Sequence, residues 1–199
     1  MSMCAVLLAA PVGSGTPARA DVLFLPTGTF EIVPGESSAT FFVPDTRGGF
    51  TGHTPRVTGH VTVESRDGGD TYTAQVTAAI DTPSITTDNG VRDATMRAVY
   101  LRTAQYPAIT FVGTVTAHPG FGLHPFPAPV HGQVTIREVT RDEQFSATVL
   151  ALAREYRADV SASIRMSDYG IPYPRVFIFV ARDPVTVTLH ILARQTEPR

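Results

Sequence analysis

The chain has 199 residues with 43% hydrophobic and 17% charged side chains, a size that fits one barrel or sandwich domain with a sizeable core. Its net charge is −2, and its 16 cationic residues are all Arg and scattered, leaving no electrostatic footprint for nucleic acid or an anionic membrane surface. The single cysteine, Cys4, excludes intramolecular disulfides and the usual cysteine patterns for zinc.

Residues Cys4 to Ala10 form a short apolar run, and Ala18-Arg19-Ala20 has the small-x-small form of a signal-peptidase site. A signal peptide over 1–20 is therefore expected, with a mature domain over 21–199 exported to the periplasm or beyond. No Lys or Arg precedes the apolar run, so the leader is atypical or truncated at its start. Met1-Ser2-Met3 lacks the apolar and small residues that precede a lipidated cysteine. After Ala20 no stretch reaches the ~18 apolar residues of a spanning helix.

Period-two alternation then dominates, with apolar side chains on one face and Thr, Ser, Gln or His on the other. Thr29 to Val43 reads as a strand. Gly59, Val61 and Val63 alternate with His60, Thr62 and Glu64; Tyr72, Ala74, Val76, Ala78 and Ile80 alternate with Thr71, Thr73, Gln75 and Thr77. Arg66-Asp67-Gly68-Gly69-Asp70 between them is a hairpin signal. Asp88 to Leu101 carries the helical character of the chain: Asp88 or Asn89 can cap it, and Asp93 stands four residues before Arg97 on one face. Ala117 to Pro129, with four prolines and two glycines, reads as an extended surface loop.

The same alternation returns in Val130 to Ile136, Phe145 to Val149, Val160 to Met166 and Val185 to Ile191, and Val176 to Val180 also reads as a strand. Asp168-Tyr169-Gly170 and Arg182-Asp183-Pro184 break the later strands. Because the strands are not apolar on both faces, a parallel sheet between helices is disfavoured. The pattern predicts an all-β fold, an antiparallel barrel of about eight strands with one short helix, a shape whose interior holds side chains or one slender ligand.

Four places carry a more specific signal. The stretch SITTDNGVRDATMRAVYLRTAQYPAITF, Ser84 to Phe111, contains Ser84-Ile85, Thr87, Asn89, Arg92-Asp93, Tyr106-Pro107 and Ile109-Thr110-Phe111 at fixed spacing. Val130 to Thr140 reads VHGQVTIREVT, Ile164 to Ile171 reads IRMSDYGI, and Gly52 and Gly59 stand among apolar residues between Arg47 and Val63. Together these resemble the YceI-like family over about Thr29 to Leu192. The resemblance implies an exported lipocalin-like barrel that binds polyisoprenoid lipids without catalysis, carries no cofactor beyond such a lipid, and pairs as a homodimer. Departures stand at Thr86 and Asp88, where the family usually has Asp and Gly, at Thr95 for His, at Met96 for Leu, and at Glu138 for Gly. Such positions can keep the barrel while changing its contents.

Phe41, Val63, Val76, Ile80, Phe111, Val134, Ile164, Phe177, Phe179 and Leu189 fall on the apolar faces. Periodicity alone favours a packed core; the resemblance implies the lining of a lipid tunnel, for an isoprenoid quinone or a polyprenyl lipid. Met96, Tyr100 and Leu101 on the helix could lid one end or serve as ordinary packing. Arg92 and Asp93, with Arg97, could face the pocket mouth and hold a polar head group, because a guanidinium offers fixed donors to phosphate or carboxylate. The competing role for Arg92, Asp93 and Arg97 is a structural clasp at the helix. His118, His124 and His131 lack a carboxylate or cysteine at ligand spacing, so no metal site is expected, and no nucleophile elbow or phosphate loop can be read. Two other readings compete with lipid carriage: a barrel with a filled core that binds a protein partner, and an enzyme in which Asp93 would be the first acid or base to mutate.

Overall fold

A computed structural model describes residues 25–118, 124–176 and 179–196. The leader expected over residues 1–20 lies outside them. In chain order the strands are β1 (Gly28–Ile32), β2 (Ser38–Val43), β3 (Phe50–Thr54), β4 (Val57–Arg66), β5 (Thr71–Asp81), β6 (Ala108–Ala117), β7 (Phe126–Ile136), β8 (Val139–Leu152), β9 (Glu155–Ile164), the two short strands β10 (Arg175–Val176) and β11 (Phe179–Val180), and β12 (Val185–Gln195). One helix, α1 (Gly90–Thr95), runs on into a π-helical turn over Met96–Tyr100.

All neighbouring strands pair antiparallel, and the sheet closes because β12 has partners on both edges. It pairs with β9 from Val185 to Arg194, and on its other edge with β2 through Thr186–His190 and with β1 through Ala193–Gln195. Thus β1 and β2 act as one barrel strand broken at Pro34-Gly35, and β3 and β4, which pair with β2 and β1, as another broken at Pro55. The break is tied to the wall: the Leu192 amide donates to Ser37 Oγ at 3.0 Å, and that hydroxyl donates to the Leu192 carbonyl at 3.3 Å. The result is a closed barrel of eight strand positions, in the ring order β1–β2, β3–β4, β5, β6, β7, β8, β9, β12. Closure leaves no long edge for another chain to extend.

The hairpin expected at 66–70 forms, with Asp67, Gly68 and Gly69 at φ 52°, 70° and 107°, a backbone that glycine adopts without Cβ strain. Arg137 and Glu138 make the tight turn between β7 and β8, with Ile136 facing Val139.

Four expectations are corrected. Val176 to Val180 is not one strand: β10 and β11 pair antiparallel, with Val176 facing Phe179. Thr29 to Val43 is two strands, because Pro34 supplies no amide and Gly35 turns at φ 84°. The Pro-rich loop is shorter than Ala117 to Pro129: β7 already begins at Phe126, with Pro127 facing Thr148 and Pro129 facing Ser146 of β8. These prolines are tolerated because β6 joins β7 only from Val130 onward, so this part of β7 is an edge with no second ladder to supply. The helix is Gly90 to Tyr100 rather than Asp88 to Leu101, since Asn89 caps it: its side-chain oxygen accepts from the Arg92 amide at 3.0 Å.

Burial separates the interior into three levels. At one end Leu25, Phe30, Val63, Tyr72, Ala128 and Tyr156 pack into a closed floor. At the other, Ile136, Ile164, Met166, Tyr169 and Ile171 form a second cluster, joined by Tyr100 and Leu101 from the helical segment. Between them the inward side chains Val61, Val76, Ala78, Phe111, Val134, Ala162, Val187 and Leu189 are only half-buried, although they point to the axis.

Candidate functional site: an apolar cavity inside the barrel

That half-burial marks a hollow interior. A cavity of about 990 Å³ runs through the barrel, its wall supplied by the inward alternate positions of all eight strand positions. For comparison, ligand pockets span roughly 300–1,000 Å³. Phe41, Val63, Val76, Ile80, Phe111, Val134, Ile164 and Leu189 all line it, as do Met96, Tyr100 and Leu101 from the helical segment. Phe177 and the side chain of Phe179 lie outside the described residues.

Small residues keep the space open. Gly113 of β6 faces Gly132 of β7, and their missing side chains admit the Phe111 ring flat against the wall: a Cβ on Gly132 would lie 2.6 Å from a Phe111 ring carbon. Phe111 then meets Phe145 at 5.6 Å between ring centroids instead of crossing the axis. Ala74, Ala78, Ala158 and Ala162 line opposite walls with single methyl groups.

The mouth can be located from exposure. Arg47, Gly49, Asn89, Val91 and Thr95 are lining residues that are also exposed, and all belong to the β2–β3 connection or the first turns of the helix. Val91 is 82% exposed, an apolar side chain standing at the rim. Asp45, Arg47, Asn89 and Arg92 put the polar and charged groups here, whereas the wall below is almost wholly hydrocarbon.

Of the clasp residues, Arg92 alone reaches the cavity. Its Nε donates to Thr87 Oγ1 at 2.9 Å, and its guanidinium lies 4.4 Å from the centre of the Phe50 ring, so it bridges the helix to β3 at the mouth. Asp93 is buried and turned away. Its carboxylate accepts from Thr86 Oγ1 at 2.7 Å, from the Thr87 amide at 2.8 Å and from Thr87 Oγ1 at 2.6 Å. Burial opposes ionisation, but those hydrogen bonds from Thr87 and Thr86 outweigh it and hold the carboxyl below its ordinary range. Arg97 donates to the Ile85 carbonyl at 2.8 Å rather than pairing with Asp93, contrary to the spacing of four, because Thr86 and Thr87 reach the carboxylate first.

The rest of the Ser84–Phe111 stretch explains itself as a clasp. Thr86 and His53 exchange both backbone hydrogen bonds, Ser84 Oγ meets Thr54 Oγ1 at 2.6 Å, and Thr82 Oγ1 donates to the Tyr106 carbonyl at 2.8 Å. The chain is thereby fastened to β3 on one side and to the approach to β6 on the other, holding the helix over the end of the barrel. Asp183 does similar work beside it, accepting from the Met166 and Ser167 amides, Ser167 Oγ and Tyr173 Oη.

Sequence reasoning missed Tyr72, Tyr156, Leu25 and Phe50. Tyr72 falls on the apolar face of its strand, where a phenol must find a hydrogen-bond partner, and that partner lies 47 residues away in sequence. Among the described residues no group of histidines, cysteines and carboxylates has the arrangement of a metal site.

Comparisons with known proteins agree with this architecture. The barrel is similar to Burkholderia cenocepacia BcnA, with a TM-score of 0.64 and 15% identity over 81% of this chain and 98% of that one. It is similar to a domain from Saccharophagus degradans described as a polyisoprenoid binding domain implicated in plant cell wall breakdown, with a TM-score of 0.63 and 17% identity over 86% of this chain and 100% of that one. A Campylobacter jejuni YceI protein matches with a TM-score of 0.55 and 15% identity over 73% of this chain and 85% of that one. No curated protein matches the chain. The family model described as the YceI-like domain matches residues 30–193, nearly the whole barrel, and the chain belongs to the YceI-like family.

Proposed function

We propose that this protein binds an amphiphilic lipid with a long isoprenoid tail, a polyprenyl lipid or an isoprenoid quinone, and carries or sequesters it by enclosing the tail in the barrel. The observation that carries the reading is the apolar cavity of about 990 Å³, open at one end beside polar groups. At ~30 Å³ per heavy atom, the share a water molecule takes in the liquid, it has room for about thirty such atoms, or about six five-carbon isoprene units. Each buried methylene contributes ~0.8 kcal/mol, so the tail supplies affinity without specific hydrogen bonds. Asp45, Arg47, Asn89 and Arg92 stand where the head group would emerge.

The likeness to a polyisoprenoid binding domain supports the same assignment. A binding role without catalysis is supported by Asp93, whose carboxylate is spent on Thr86 and Thr87 away from the cavity. A barrel with its interior filled by side chains, offering only its outer faces to a partner, fits poorly with so large a hollow. The compartment we propose is the periplasm or the exterior, on the leader-like pattern of residues 1–20.

Organic extraction of the purified protein followed by mass spectrometry tests the reading, together with uptake of a prenyl alcohol or an isoprenoid quinone by the emptied protein. Co-purifying prenyl lipid, or saturable uptake at one equivalent, is expected. Absence of both would overturn it.

A further inference from the structure

We propose that the blind end of the barrel is a ruler for tail length, set by a backbone strap at Leu25-Pro26 that two tyrosines hold across the floor. The inference rests on the lipid reading above and adds what decides which tails fit.

Tyr72 lies on β5 and Tyr156 on β9, four positions apart in a ring of eight, so they face each other across the barrel. The Leu25 amide donates to Tyr72 Oη at 3.1 Å, and Tyr156 Oη donates to the Pro26 carbonyl at 2.5 Å. Both phenols therefore spend their polar ends on one short piece of chain, one accepting from it and the other donating to it. The Phe30 ring meets Tyr156 edge-on at 4.9 Å, which fixes the ring that does the donating.

Sheet pairing of this end of the chain begins only at Gly28. Residues 25 and 26 thus owe their place to the two phenols and to the side chain of Leu25, which is 5% exposed and lines the cavity floor. Ala128, Ala151 and Ala193 surround it with small side chains, leaving the space that the strap occupies. Nothing of this is needed to close the barrel wall, which β12 closes by pairing with β1 and β2. What the strap does is stop the cavity. Truncating Leu25 to Ala removes three carbons and an isoprene unit has five, so the truncation makes room for at most one further unit of tail.

The test uses the full chain and linear prenyl alcohols of increasing length, each competing with a fluorescent apolar probe. In the wild type, affinity should rise with each added unit until the tail reaches Leu25, and then stop rising. Leu25→Ala, and separately Tyr72→Phe with Tyr156→Phe, should move that break one unit longer, with at least a tenfold gain for the first alcohol beyond the wild-type limit. Ala128→Leu, which fills the floor from the wall, should move it one unit shorter. Should the tyrosine pair fail to fold, Leu25→Ala and Ala128→Leu still decide the matter, since both leave the phenols in place. A break that stays at the same length in these variants overturns the ruler while leaving lipid binding intact. Failure of every prenyl alcohol to displace the probe from the wild type overturns the lipid reading, and the ruler with it.

Discussion

Val76 and Ala162 stand on opposite walls of the barrel, on β5 and β9, and both are half-buried lining residues. Replacing both by Phe adds ten carbons to the interior, four at Val76 and six at Ala162. If the interior is a container, those carbons displace an equal length of tail; at ~0.8 kcal/mol per methylene the loss is at most about 8 kcal/mol. A tail that rearranges to recover half would still lose about 4 kcal/mol, close to a thousandfold in affinity at ~1.4 kcal/mol per factor of ten. Stability should move the other way, because two rings that enter empty space gain contacts and hide apolar wall from water. In a filled core the same change overpacks, at a cost of about 1–3 kcal/mol per site. Urea denaturation and titration with a prenyl alcohol measure the two quantities on one sample. A variant destabilised by more than about 2 kcal/mol that still binds like the wild type would refute the hollow-container argument.

Asp93→Asn removes the charge from a buried acceptor of three hydrogen bonds and should destabilise the fold by about 2 kcal/mol at neutral pH, leaving lipid capacity intact where the protein is folded. Because the folded carboxyl titrates below its unfolded value near ~3.9, its stabilising effect is present above that pH and is lost as the pH falls through the folded value. Acid unfolding of Asp93→Asn should therefore show a shallower limb below about pH 4 than the wild type; an identical limb would count against the clasp. Asp183 is held low in the same sense, burial being outweighed by hydrogen bonds from Ser167 and Met166, so Asp183→Asn should flatten the same limb and loosen the Met166–Tyr169 turn, visible as faster amide exchange there. Gly113→Val would drive a Cβ against the His131 carbonyl and the Phe111 ring. A loss of about 3 kcal/mol or more is expected, read as a fall in melting temperature, and a melting temperature unchanged by Val would mean that the Gly113–Gly132 contact is not close.

Strand parity carried most of the fold. Once Tyr72, Ala74, Val76, Ala78 and Ile80 fall on one face, the pleat keeps them together whatever the sheet's partners, and the strand residues Phe41, Val63, Val76, Ile80, Phe111, Val134, Ile164 and Leu189 stand on the cavity wall. The clasp could also be read, because Asn89 and Asp93 act on groups only three to seven residues away. Pairing by spacing alone misled at Asp93 and Arg97: an exposed helical pair at that separation is worth only ~0.3–0.5 kcal/mol, and buried hydroxyl and amide donors to a carboxylate outweigh it.

Local chemistry written in the chain fixed the alternation, the hairpin at Asp67-Gly68-Gly69, the capped helix and the family motifs, since each depends on neighbours within a few residues. Whether the inward faces meet or stand apart depends on how many strands close the ring and on which residues oppose one another across it. Gly113 faces Gly132 through the β6–β7 ladder, whereas Tyr72 and Tyr156 share the Leu25-Pro26 strap, and Val76 and Ala162 stand on opposite walls, only after β12 has joined both β1 and β2. The same apolar side chains would fill a flatter sandwich. The closed ring holds their backbones too far apart to touch, and that separation makes the interior a cavity.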